Sequence, residues 1–471
     1  AFGAAGTVLT SGGTDATATP PTWAVPTGGQ EVAMTADGAV AAGKIVAWKA
    51  GKAVQISTTT APQSNGGANT GVSSEANYGT NAFDATFDPD RNTGFYAMQR
   101  LQSGVYYQLH QNVIQYSGTA ASSPAVSGWG STLYDIDGNQ SYGTQYAAVS
   151  CAYDTANDQP MVIYRNLSSQ LEFRSFYYNA AWPYYGLSSS AVVYSGSIGE
   201  CTAMCFNPTT NQVIFAFTIG SDVYLQVGDR STGVLVMGPY TPSVDAGNSS
   251  GDKFAMVWDP VEEVAIIVYS NGTSGTKARA FSISGAGASS TLVGGTAVSL
   301  GSGEFPDKRP AIGYDHEAAR TYFLASNSSN YFLSSHIQAS GTTLTGSAVK
   351  SFSGDSSMGS AGQYLGPARA ASGTGINGVV VCYSNYGGGQ YEYMGTVEYR
   401  AATDDVFWKE APHLFASTVT YGPMVTYDSV KGFACTYWIN GTGATSTTMC
   451  YYIPNKSSST GTNVLGIAQS T

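Results

Sequence analysis

Tyr153-Asp154-Thr155-Ala156-Asn157-Asp158-Gln159-Pro160 runs straight into Met161-Val162-Ile163-Tyr164. It reads as a strand that ends, a short polar turn, and a second strand. An Asp or Asn side chain can accept from backbone N–H two residues on, and Pro presets the next φ. Aromatic and β-branched runs on either side suit strands. The pattern recurs at Phe87-Asp88-Pro89, Phe206-Asn207-Pro208, Trp258-Asp259-Pro260, Tyr314-Asp315 and Tyr427-Asp428. Each copy leads into an apolar run, such as Val213-Ile214-Phe215 or Val264 to Tyr269.

The spacing decides the architecture. Asp154 to Asn207 is 53 residues, Asn207 to Asp259 is 52, and Asp259 to Asp315 is 56. Asp315 to Asp428 is 113, twice that period, so a further copy belongs between them. Gly375-Ile376-Asn377-Gly378 followed by Val379-Val380-Val381-Cys382-Tyr383 supplies it. Asp88 to Asp154 is 66, one period with a longer loop. A period near 50 with several short strands per unit points to radial four-stranded sheets, a β-propeller. Seven copies predict an all-β, seven-bladed ring. The blades are expected at 79–145, 146–198, 199–250, 251–304, 305–358, 359–411 and 412–461.

Composition agrees. The 471 residues include 57 Gly and 32 Tyr, only 11% are charged, and the net charge is −11. That balance argues against a basic nucleic-acid surface. No apolar run approaches the ~20 residues a membrane helix needs. The longest is Val264 to Tyr269, a strand. Six cysteines in this length do not make a disulfide framework. Cys151, Cys205, Cys382 and Cys435 are expected as buried thiols, with a Cys435–Cys450 bridge as the alternative for the last blade. No metal or cofactor is expected. The four histidines, His110, His316, His336 and His413, are scattered, with no HExxH.

Several motifs lose their usual meaning in this setting. Gly373-Thr374-Gly375-Ile376-Asn377-Gly378 fits GxGxxG but precedes a strand, so no helix N-terminus awaits a phosphate. Gly247-Asn248-Ser249-Ser250-Gly251 fits GxSxG without a strand–turn–helix context. Asp135-Ile136-Asp137-Gly138-Asn139 begins like a calcium loop but places Gly fourth rather than sixth. A propeller glycosidase would need two carboxylates about 5–10 Å apart across a cleft. Asp88, Asp259, Glu200 and Glu304 are candidates, but Asp88 and Asp259 recur at the corner and read as turn residues. No catalytic set is therefore assigned. The aromatic-rich segments are the better site candidates: Trp182, Tyr184 and Tyr185 in one, Tyr391 and Tyr393 in the other. Exposed Tyr and Trp stack on sugar faces and anchor protein contacts. Packing between blades is the competing role.

The terminal segments carry a resemblance. Gly3, Ala5, Gly6, Val8, Leu9, Thr10, Ser11 and Gly13, followed by Pro21 and Trp23, resemble a segment of bacteriophage tail fibres and related virion proteins. Thr7 stands where that segment usually has Gln. Asp37-Gly38-Ala39-Val40-Ala41-Ala42-Gly43-Lys44-Ile45-Val46-Ala47-Trp48 is similar to a small β module of such proteins, with Lys44 in place of the usual Asp. Val464-Leu465-Gly466-Ile467-Ala468 is similar to its partner strand. The resemblance implies a virion surface protein, a tail fibre or receptor-binding protein. It would be trimeric through its arm, contact other virion proteins, and attach to a host glycan or envelope protein. A propeller glycoside hydrolase or depolymerase of the tailspike kind and an architectural virion component, a capsid decoration or tail nozzle, are the alternatives.

The expected organisation is an extended arm over 1–31 and a small β module over 32–60 completed by 462–471. A Gly/Ser/Asn-rich linker over 61–78 and the propeller over 79–461 follow. The module is expected to staple the seam where first and last blades meet. The chain opens at Ala1-Phe2-Gly3 without an initiator Met, and reads as processed or as part of something longer.

Overall fold

A computed structural model describes the strands and most of their turns. The described residues are 8–11, 22–24, 32–33, 45–49, 52–55, 63–69, 75–76, 83–102, 106–119, 122–128, 134–136, 148–179, 184–199, 201–241, 244, 254–270, 275–301, 310–326, 332–351, 365–385, 391–401, 403–409, 412–416, 420–440, 447–454, 464–467 and 469–470. They divide into two compact units: 63–455, and 1–62 together with 456–471.

The larger unit is a seven-bladed β-propeller. Each blade is an antiparallel sheet whose first strand lines the axis. The inner strands are Phe83–Asp88, Val149–Asp154, Thr202–Asn207, Phe254–Asp259, Ala311–Asp315, Leu365–Ala371 and Thr420–Asp428. Each touches the next, and the last touches the first. Between every pair of neighbouring blades lies one buried apolar cluster, seven in all among the described residues. The cluster between the last blade and the first joins Tyr96, Met98, Ile114 and Tyr116 to Met424, Phe433, Cys435 and Tyr437. Burying one such large side chain is worth about 1.5–3 kcal/mol, so no blade is stable without both neighbours.

The recurrent corner has two duties. The carboxylate or amide caps its own turn. Asp88, Asp154, Asp259, Asp315 and Asp428 each accept from the backbone N–H two and three residues on, and Asn207 accepts from Thr209. The loop is four residues long, and its last residue is left-handed in all six copies. These are Asn92, Asp158, Asn211, Glu263, Ala319 and Gly432, with φ from 48° to 76°. Four-residue hairpin loops built on a type I turn close this way. The aromatic before the Asp leans the other way, onto the preceding blade. Tyr153 donates to Asp88 and Asp90, both at 2.9 Å. Trp258 and Phe206 enter the clusters shared with their preceding blades. In the sixth blade Gly373 makes room for Tyr427, because a Cβ there would lie 2.4 Å from the ring. Its turn uses Gly375 and Gly378 at φ 80° and 126°. The GxGxxG pattern is thereby accounted for by packing.

One expectation is corrected. Residues 63–69 are not linker: Gln63–Asn69 pairs antiparallel with Thr447–Tyr452 as the outer strand of the seventh blade. An outer strand needs backbone partners but no apolar face, so Gln-Ser-Asn-Gly-Gly-Ala-Asn can serve. Composition alone cannot tell such a strand from a tether. The ring thus closes by a strand from before the first blade completing the last. Glu75–Ala76 likewise pairs with Thr93–Gln102 in the first blade.

The smaller unit has two sheets. Ile45–Lys49 sits between Lys52–Gln55 and Val464–Ile467. Val8–Ser11 sits between Thr22–Ala24 and Gln469–Ser470, with Val32–Ala33 outermost. All six cysteines are free and buried, Cys435 and Cys450 included, so that bridge is absent.

Candidate functional site

The axis of the ring holds a cavity of about 290 Å³, walled by the seven inner strands. Asp84 is the one carboxylate among its lining residues and Arg369 the one cation. Asp84 accepts from Ser150 Oγ at 3.1 Å and from the Cys151 N–H at 2.9 Å. Ser150 Oγ in turn accepts from the Met204 N–H at 3.0 Å. Arg369, from the sixth blade, donates to the Phe83 carbonyl of the first at 3.2 Å and stacks over the Phe83 ring. These bonds tie inner strands to one another. Among its described lining residues there is thus one carboxylate, where most glycoside hydrolysis uses a pair. Of the other carboxylates considered, Asp88 and Asp259 cap turns, and Glu200 and Glu304 lie outside the described residues. So do Gly247–Gly251 and Asp137–Asn139. No metal-holding group of three ligands occurs among the described residues.

The structure places the aromatic candidates one by one. Trp182 lies outside the described residues. Tyr184 opens the outer strand of the second blade, Tyr184–Tyr194, and Tyr391 opens the third strand of the sixth, Tyr391–Arg400. Tyr185 is corrected: it is 1% exposed, and its hydroxyl donates to Asp88 and bonds Thr93 at 2.7 Å. It belongs to the first–second blade interface and offers no ligand face. Tyr393 is half-buried and stacks on Tyr383 at 5.3 Å with an interplanar angle of 10°. In the 176–185 stretch, Phe176 points inward and Tyr177, 47% exposed, points out. The alternation of a strand explains the difference.

A different aromatic group comes together where the second and third blades meet. Tyr194 ends the outer strand of the second blade. Phe217 and Tyr224 face each other across the second and third strands of the third blade. Tyr240 ends that blade's outer strand. Phe217 is fully buried and forms the base. Tyr194 lies 5.3 Å from it at 33°, and Tyr224 6.5 Å from it at 25°. Tyr240 stands nearly upright to both outer rings, 6.2 Å from Tyr194 and 6.1 Å from Tyr224. Tyr194 and Tyr224 are half-buried and Tyr240 is 54% exposed. Gly196 lets Tyr194 lie against the backbone, since a Cβ there would be 2.7 Å from the ring. The result is three partly open tyrosines on a buried base, with flat apolar faces and hydroxyls at their edges. The three tyrosines are far apart in sequence, and each alone reads as an ordinary strand residue, so nothing in the chain announced them.

No family model matches the chain, and no curated protein sequence matches it. Among solved structures the chain is similar to a putative 6-phosphogluconolactonase from Bacteroides fragilis, at 10% identity and TM-score 0.47, covering 76% of this chain and 94% of that one. It is also similar to AofleA from Arthrobotrys oligospora, at 10% identity and TM-score 0.43, over 74% and 89%. The Aleuria aurantia lectin, solved with a fucosylated N-acetylglucosamine, is similar at 12% identity and TM-score 0.42, over 73% and 97%. At such identities these likenesses carry nothing about ligand or activity in this chain.

Proposed function

We propose that this chain is a binding protein whose propeller attaches to a neutral glycan, on the surface of a bacteriophage particle. The observation that carries the glycan reading is the Tyr194–Tyr224–Tyr240 group. Partly open tyrosines offer C–H stacking faces and hydroxyl donors at low entropic cost. The chain's net charge of −11 gives it no long-range attraction for anionic ligands. The particle setting rests on the terminal segments that resemble tail-fibre sequences. Attachment to other virion proteins, and a trimer made through the arm, belong to the same proposal. Multivalent display would let weak single sites suffice.

A glycan array with the intact chain tests the reading. Signal on a neutral host-derived glycan is expected, with Tyr240→Ala lowering affinity at least about tenfold, the loss of roughly one stacked ring. Absence of signal on every host glycan, or unchanged binding in Tyr240→Ala and Tyr194→Ala, overturns it. Release of reducing sugar from host capsule would instead favour a depolymerase.

A further inference from the structure

At the joint between the fifth and sixth blades, a buried histidine is held between a cation and an anion. His336, on Phe332–Ser340, is 5% exposed. Its Nδ1 lies 3.0 Å from the Arg320 guanidinium and its Nε2 lies 3.0 Å from Asp404 Oδ1. Arginine can only donate. Nδ1 must therefore accept, the proton must sit on Nε2, and Nε2–H donates across the joint to Asp404. Tyr399, on the sixth blade, completes the arrangement. Its hydroxyl donates to the same Asp404 oxygen at 2.9 Å, and its ring lies under Arg320 at 4.1 Å and beside His336 at 4.7 Å. The joint runs on inward: Tyr322 donates to Asp315 and accepts from the Tyr399 N–H at 3.1 Å. Lys350 bridges to Asp405 at the outer side.

We propose that this cluster is an acid-sensitive latch between the fifth and sixth blades, closed while His336 is neutral and released when it takes up a proton. A second proton can go only onto Nδ1. There it would face the Arg320 N–H at hydrogen-bonding distance, donor against donor and cation against cation. The charged groups facing the ring are Arg320 and Lys350 from its own blade and Asp404 and Asp405 from the neighbour, with Tyr322, Asp315 and Tyr399 around them. Asp404 favours the imidazolium, but it is exposed and shared with Tyr399, whereas Arg320 and burial oppose it. Burial above all holds the histidine below its ordinary range, outweighing the pull of Asp404, with Arg320 adding to the downward push. Asp404 sits at φ 52°, the left-handed last position of the four-residue loop between Tyr391–Arg400 and Asp405–Trp408. Acid favours states in which Arg320 and His336 part, and these free the edge of the sixth blade.

The test is hydrogen–deuterium exchange of the intact chain at pH 7.5 and 5.0, corrected for intrinsic rates. It is paired with imidazole NMR, in which four histidines give four signals. Exchange over 332–340 and 391–400 is expected to rise at pH 5.0 by up to roughly 30-fold, the linkage factor for a histidine that regains its ordinary pKa only on opening. His336→Gln should remove that pH difference while folding normally. His316→Asn, at the fourth–fifth corner, should leave it in place. A His336 signal titrating at or above its ordinary range would overturn the proposal. So would an equal pH effect in His336→Gln.

Discussion

Replacing Asp154 should cost more than replacing the arginine it binds. The Asp154 and Arg230 side chains are both fully buried, with Nε to Oδ2 at 2.7 Å. Asp154 also receives the Ala156 and Asn157 N–H groups and the Asn157 side-chain amide. Arg230, from the third blade, donates further to Gln159 at 2.8 Å and stacks on Phe173. Asp154→Ala therefore strips the turn of its cap, at about 1 kcal/mol. It also leaves a buried guanidinium without its anion, a loss of about 3–5 kcal/mol. Roughly 4–6 kcal/mol is expected in total. Arg230→Met keeps the volume and leaves Asp154 its three other donors. Removing Arg230 alone leaves a buried carboxylate, but those three donors offset part of the usual loss of about 3–5 kcal/mol, so roughly 2–3 kcal/mol is expected. Urea unfolding at matched m-values reads both differences. Equal losses in the two variants, or a loss under about 2 kcal/mol for Asp154→Ala, would refute the view that the corner carboxylate organises the joint.

Ala319→Gly should stabilise the chain by about 0.5–1 kcal/mol, because Ala319 is held at φ 48°, and Ala319→Val should do the reverse. Urea midpoints of the two variants decide it. Cys151 and Cys205 line the axial cavity while Cys201, Cys382, Cys435 and Cys450 are fully buried. A small neutral thiol reagent should reach the first two slowly, since burial pushes the Cys205 thiol up, and the other four only on unfolding. Peptide mapping that finds Cys435 modified first would count against this packing. Burial, helped by Asp428, pushes Tyr427 up to about 12. The folded state thus keeps a proton that the unfolded chain sheds near pH 10, and stability should fall as pH rises past about 10. Tyr427→Phe should flatten part of that fall in an alkaline unfolding series.

The sequence made the ring legible because one device repeats. An aromatic that crosses to the previous blade and an Asp that caps its own turn leave a visible pair every fifty-odd residues. The sixth copy lacks the Asp and was found by spacing, with glycines doing the turning. The left-handed loop position was not legible. Asn92, Asp158 and Asn211 suit it, but Glu263 and Ala319 give no sign. Gln63–Asn69 was missed because an outer strand is specified by its partner's backbone, which no local pattern records. Tyr185 reads from sequence as a free aromatic because its burial comes from the first blade, where Asp88 and Thr93 take its hydroxyl. The Tyr194–Tyr224–Tyr240 group escaped because it forms only when two blades meet.

The closure of the ring is tested most directly by one cross-link. Asn65 on the clasping strand lies opposite Cys450 on the seventh blade. Facing residues of antiparallel strands stand within disulfide reach. Under mild oxidation, Asn65→Cys should join Cys450 within one chain, seen by mass spectrometry as a peptide from before the first blade bonded to one from the last. A thiol at position 65 that stays free, or that bonds only between chains, would contradict a propeller completed by its own leading strand.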